Sequence, residues 1–309
     1  MKNFFSIFFI AIFACANAQE SNETANRFFY ELNFKPKKDS TKIDKVMTIL
    51  DITKTKSIYR DYTVIAQDSI IKIAVEEMQK AGVYKDLSKT IRMPKFSEKI
   101  DKFYPDMKVM YVEKVANGFT PLNIGYSENL KFDWKILNDK EKVGSYNTQK
   151  ATTEFGGRKW TAWFSSDIPF QDGPYKFSGL PGLIVKIEDE NKNYSWVLQG
   201  NKKVNNFEEL SYAEKISGGS SKVTEVSKEK FNNTFSEFKK DPLATARPHL
   251  KPEMMSQKMP GSDMTIGELM KKQEKMYKDF YNSNDNPIEL EKKVTVGQLE
   301  KVGKEKEKK

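Results

Sequence analysis

His249 is the only histidine in the 309-residue chain. Flanked by Pro248 and Leu250, it could act as a general base only if the proline-rich stretch around it folded over a nucleophile. The serines it would need, Ser165 or Ser178, sit in no GxSxG turn, so a Ser-His-Asp arrangement is not expected. Zinc hydrolysis usually takes two or more His or Cys ligands, and the chain holds one of each. Carboxylates are abundant, and a pair such as Asp167 and Asp172 could flank a glycosidic bond without histidine. Loop aspartates more often shape turns, however. Asp189-Glu190-Asn191 offers oxygen ligands, but its spacing is not that of an EF-hand and a hairpin turn explains it better. No catalytic residue, metal site or cofactor is expected from these residue types.

The amino terminus sets the compartment. Lys2 precedes an apolar run at 4–14 and then Ala16-Asn17-Ala18, the pattern of a secretory signal peptide cleaved after Ala18. The run is too short to span a bilayer as a mature helix, and no later stretch is long and apolar enough. Lipid attachment at Cys15 is disfavoured by the bulky Phe13. Cleavage would remove the only thiol and exclude disulfides and a cysteine nucleophile. It would also remove Lys2, taking the net charge from +9 to +8. The lysines are spread along the chain without zinc spacing or a basic recognition helix, so nucleic acid is not an expected partner. The periplasm is the expected location, with release into the medium as the alternative.

The elements that would position any site read mostly as strands. Aromatic and β-branched residues at 28–34, 46–51 and 57–65 suggest two or three strands, followed by a helix at 69–81 stopped by Gly82. Asn117-Gly118 is expected to turn a hairpin between 108–116 and 119–126. Leu130, Phe132, Trp134 and Ile136 alternate with polar residues, which predicts a half-buried strand. Gly156-Gly157 should turn a second hairpin between 149–155 and 158–164, and 183–188 should pair with 194–199. The last third is helical in character. Phe231, Phe235 and Phe238 share a stripe within 228–240, and a looser stripe through Met264, Leu269, Met270 and Met276 runs along 262–281. The expected fold is mainly β (α+β): a curved antiparallel sheet of successive hairpins with helices packed on one side and a helical C-terminal third. The expected division is a signal peptide at 1–18, a β-rich unit at 19–204, a helical extension at 205–299 and a disordered charged tail at 300–309.

After the Gly156-Gly157 hairpin comes a proline and glycine-rich loop, 167–182, which leads through Ser178-Gly179-Leu180-Pro181-Gly182 into Leu183-Ile184. These residues contain the string GLPGLI. With Gln149-Lys150-Ala151-Thr152, the strand at 158–164, Ile168-Pro169 and Asp172-Gly173-Pro174, about 60 residues resemble the GLPGLI family. The resemblance implies an exported protein of a Gram-negative envelope and assigns no reaction.

Physically, Gly179 and Gly182 around Pro181 allow a tight, stiff turn just before a buried strand, which is a structural role. As a binding site, the loop would be a rim over the concave face of the sheet, with Trp163, Asp172, Tyr175, Phe177, Gly179, Pro181 and Gly182 as candidate ligand contacts. The function expected is an exported envelope binding or assembly protein that holds a lipid, a peptide or a segment of an envelope protein on the sheet. A carboxylate-dependent hydrolase of an envelope glycan or peptide is one alternative, and a structural protein whose sheet edge augments another protein's strand is the other.

Overall fold

The structure is a computed structural model that describes residues 23–87, 90–118 and 120–290. The signal peptide and the charged tail read from the sequence lie outside the described residues.

Two runs of hairpins build one sheet from opposite edges. The first comprises β1 (Ala25–Phe34), β2 (Asp44–Ile52), β3 (Lys56–Asp61), β4 (Lys99–Phe103), β5 (Lys108–Asn117) and β6 (Thr120–Glu128). The second comprises β7 (Lys135–Val143), β8 (Tyr146–Phe155), β9 (Arg158–Ser165), β10 (Leu183–Asp189) and β11 (Tyr194–Val204). They join where β1 pairs antiparallel with β11, and the short β12 (Val223–Glu225) adds parallel to β6. The order is β12-β6-β5-β4-β3-β2-β1-β11-β10-β9-β8-β7, an open, mostly antiparallel twelve-stranded sheet. β12 belongs to the stretch expected to be helical. Three residues without alternation leave no periodic signal to read.

Gly156 and Gly157 both take positive φ and close the β8–β9 hairpin, since Phe155 pairs with Arg158. The β5–β6 turn sits one residue later than the sequence suggests, because Asn117 pairs with Thr120. The strand expected through Leu130 and Trp134 begins only at Lys135. Leu130, Phe132 and Trp134 still pack against the core, but from an irregular segment, while Ile136 is exposed. Alternation therefore reported core packing correctly for Leu130, Phe132 and Trp134, and missed both the exposure of Ile136 and the start of the backbone pairing. The third expected strand stops at Asp61, and its last residues form α1 (Thr63–Ala66).

α2 (Asp68–Ala81) ends at Gly82 in the left-handed conformation, as its sequence predicts. α3 (Tyr212–Ile216) starts with a capping box from Ser211 and Glu214. α4 (Lys228–Lys240) is capped by Ser227, and the short α5 (Pro252–Met255) precedes α6 (Ile266–Asn282), capped by Thr265 with Glu268. Phe231 of α4 packs edge-on against Tyr111 and Tyr126 of β5 and β6. Phe235 and Phe238 meet Tyr281 of α6. The main core lies on the other half of the sheet, where Trp160, Trp196, Tyr30 and Phe28 are fully buried.

Candidate functional site

The loop from β9 to β10 is packed onto the sheet along most of its length. Phe177 sits 4.8 Å from Trp160 and 5.5 Å from both Phe132 and Phe155, ring centre to ring centre. Tyr175 stacks over Trp196 at 6.5 Å and meets Tyr59 edge-on. Burying such rings stabilises the fold by roughly 1.5–3 kcal/mol each. Beneath them, the fully buried Lys102 ammonium pairs with Asp172 and donates to the carbonyls of Gly173 (2.6 Å) and Phe177 (3.3 Å). Asp172 also accepts from the Tyr104 hydroxyl at 2.8 Å and from the Gly173 amide at 2.7 Å. Burial pulls Lys102 below its ordinary range, and Asp172 pulls it back up.

The seven residues proposed for a rim site are therefore divided among three places. Asp172, Tyr175, Phe177 and Gly182 are buried between loop and sheet. Gly179 and Pro181 are exposed at the outer bend. Trp163 is half-buried on the alternate face of β9, with the Lys150 ammonium 5.8 Å from its ring. Gly182 has φ +147, and a side chain there would overlap the Ser165 carbonyl, which explains why glycine stands at the end of the turn. Of the carboxylate pair suggested by sequence, Asp167 is exposed while Asp172 is held by Lys102.

Lys176, next in the loop, is fully buried and satisfied. Its ammonium lies 5.1 Å from the Tyr111 ring and 5.4 Å from that of Tyr126, and it pairs with Glu128 and Glu289 at 2.6 Å each. Glu289 belongs to a strap, 286–290, that Arg158 holds through the carbonyls of Pro287 and Ile288.

A different region of the fold is open. A groove of about 370 Å³ runs between α4, α6, the β5–β6 hairpin and the segment at 93–97, with Met93, Phe238, Leu243, Met270, Tyr277 and Phe280 among its lining. A smaller polar pocket of about 40 Å³ adjoins it and shares Val64, Ser97 and Lys114 as wall. Arg60 of β3 lines that pocket and is 4% exposed. Its Nη1 donates to the Glu209 carbonyl at 2.7 Å, while Nε and Nη2 are buried without a protein partner among the described residues. Lys99, Lys114, Asn123, Glu209 and Glu214 complete the polar lining. Glu209 is bound by Lys56 and Lys99, and Glu214 by Lys114, and these cations hold both carboxyls below their usual range against burial.

Three acids stand in a row on the other face of the same strands. Pairing of Tyr59 with Ile100 and of Lys99 with Val112 sets Asp61 beside Glu98 and Glu98 opposite Glu113. Burial pushes Glu98 up to about 7, with Asp61 adding to the effect. Burial and Glu98 together raise Glu113 well above the usual carboxylate range. Sequence reading missed Arg60, Glu98 and Glu113. The available signal was that Arg60 falls in step with Ile58 on one face of a strand, where a charge needs a partner.

Residues 157–186 match a family model described as "Protein of unknown function (Porph_ging)". This is the GLPGLI type of family, and the matched stretch runs from the β8–β9 turn through the packed loop into β10. Two solved structures of PNGF-II, from different crystal forms, are similar to the chain at 16% identity, with TM-scores of 0.47 and 0.46. The match covers 70% of this chain and 33% of theirs, so the chain spans about a third of their length. No curated protein matches the chain.

Proposed function

We propose that this chain is an exported cell-envelope binding or assembly protein that holds a lipid, peptide or partner segment in the groove between α4, α6 and the β5–β6 hairpin. The supporting observation is the groove itself, walled by methionine, phenylalanine and tyrosine and bordered by a polar pocket. Export rests on the amino-terminal pattern at 2–18. The face of the sheet around Trp160 and Trp196 is covered by the chain's own loop, which leaves the groove as the better seat. Strand augmentation is a poorer fit. β7, one sheet edge, carries five charged residues in nine and an irregular register, and β12, the other, is three residues long.

Native mass spectrometry of the protein purified from its own envelope tests the reading. A reproducible lipid or peptide that travels with the chain, and is lost in a Gln273→Trp variant that fills the groove, is the expected result. A bare chain, with the variant indistinguishable, argues against it. The second reading, a carboxylate hydrolase, draws on Glu98 and Glu113, whose burial sets them at different proton affinities. Turnover of an envelope glycan or peptide that disappears in Glu113→Gln would favour it.

A further inference from the structure

We infer that the pocket around Arg60 is a carboxylate site, and that the ligand of the adjoining groove is a single-chain fatty carboxylate, head on Arg60 and tail along α6. This inference rests on the groove reading above and gives it a substrate class.

Three observations carry it. The first is the state of the guanidinium. With Nη1 fixed on the Glu209 carbonyl, the edge left over is Nε with Nη2, two parallel N–H groups spaced to meet both oxygens of one carboxylate. A buried donor pair of this kind is costly unless an acceptor meets it. The second is size. At about 40 Å³ the pocket has room for roughly three water-sized groups, which suits a carboxylate and excludes a bulky headgroup. The third is that pocket and groove share Val64, Ser97 and Lys114 in their walls, which sets a polar anchor beside an apolar channel. Along α6 the groove runs from Met270 to Tyr281, about 17 Å at the helical rise. One acyl chain spans about 15 Å in half of a bilayer core.

The charges around the pocket permit an added anion. Arg60, Lys99 and Lys114 face Glu209, matched by Lys56 and Lys99, and Glu214, matched by Lys114 with the Arg60 Nη1 at 3.8 Å, which leaves the Nε and Nη2 edge of Arg60 to the added anion. Glu98 and Glu113 border the pocket with their carboxyls on the opposite face of the strands, and both carboxyls are shifted toward the protonated form.

Isothermal titration of the purified chain with palmitate, hexadecan-1-ol and acetate, in separate runs at pH 6.5, tests the inference. Palmitate is expected to bind at least tenfold more tightly than hexadecan-1-ol and far more tightly than acetate. Arg60→Gln and Arg60→Lys should each lose about tenfold or more for palmitate with little change for the alcohol, since lysine keeps the charge and loses the fork. Gln273→Trp should weaken both long-chain probes. The ligand comparison in the unaltered chain stands even if an Arg60 variant fails to fold. Equal binding of alcohol and carboxylate overturns the head site and leaves the groove reading intact. Acetate as tight as palmitate overturns the tail. A co-purifying peptide with no palmitate binding overturns the fatty ligand alone, whereas no long-chain binding together with a bare native chain overturns both readings.

Discussion

The register that pairs Lys99 with Val112 brings Glu98, just ahead of β4, opposite Glu113 of β5, the position at which two like charges would repel most strongly in an antiparallel pair. The fold tolerates the pair by keeping protons on it. Burial raises both groups, the charge of Asp61 adds to the rise of Glu98, and the charge of Glu98 adds to that of Glu113.

Stability should therefore depend on pH in the sense opposite to that of a salt-bridged acid. Folded Glu98 holds its proton more tightly than the unfolded chain does. Its contribution is full below about 4.5 and is lost as pH rises through about 7. Urea unfolding at pH 5 and pH 8 should differ by about 1–2 kcal/mol on this account, allowing for partial solvent screening. Glu98→Gln, uncharged at every pH, should flatten the profile. An equally steep profile in that variant would place the effect elsewhere.

Gly182→Val should destabilise by about 2–4 kcal/mol, because it combines a positive φ with overlap on the Ser165 carbonyl. The urea midpoint measures it. An unchanged midpoint with weakened ligand binding would make this glycine part of a binding loop.

Phe177→Ala should cost about 3–5 kcal/mol by emptying the space among Trp160, Phe132 and Phe155. Binding of palmitate by the variant that still folds should be retained, since Phe177 lines neither the groove nor the Arg60 pocket. Loss of binding at retained stability would bring the loop back as a ligand site.

Lys102→Met should destabilise by about 3–5 kcal/mol, since it strands the Asp172 carboxylate where neither group meets water. Adding Asp172→Asn should recover a large part of that loss, because an amide is far less costly to bury than a lone charge. A double variant no better than the single one would show that the pair acts through something other than charge matching.

The local devices were legible in the chain itself. Gly156-Gly157 signals a hairpin because both residues need positive φ, and Gly82 marks the stop of α2 for the same reason. The Phe231, Phe235 and Phe238 stripe within 228–240 marks α4. GLPGLI announced a turn into a buried strand, and Gly182 has that role. These are short-range demands of backbone sterics and side-chain period, so a single sequence carries them.

The sites depend on something else. Period two says that Arg60 shares a face with Ile58 but not what covers that face, and Glu209 lies 149 residues away. The Glu98–Glu113 opposition follows from strand register, and Lys102 meets Asp172 only because the β9–β10 loop returns over β4. By itself the sequence determined which segments pair locally, where they turn and which side chains seek burial. Only the tertiary structure decided which buried charges would find partners, because that depends on the order in which distant strands are laid side by side.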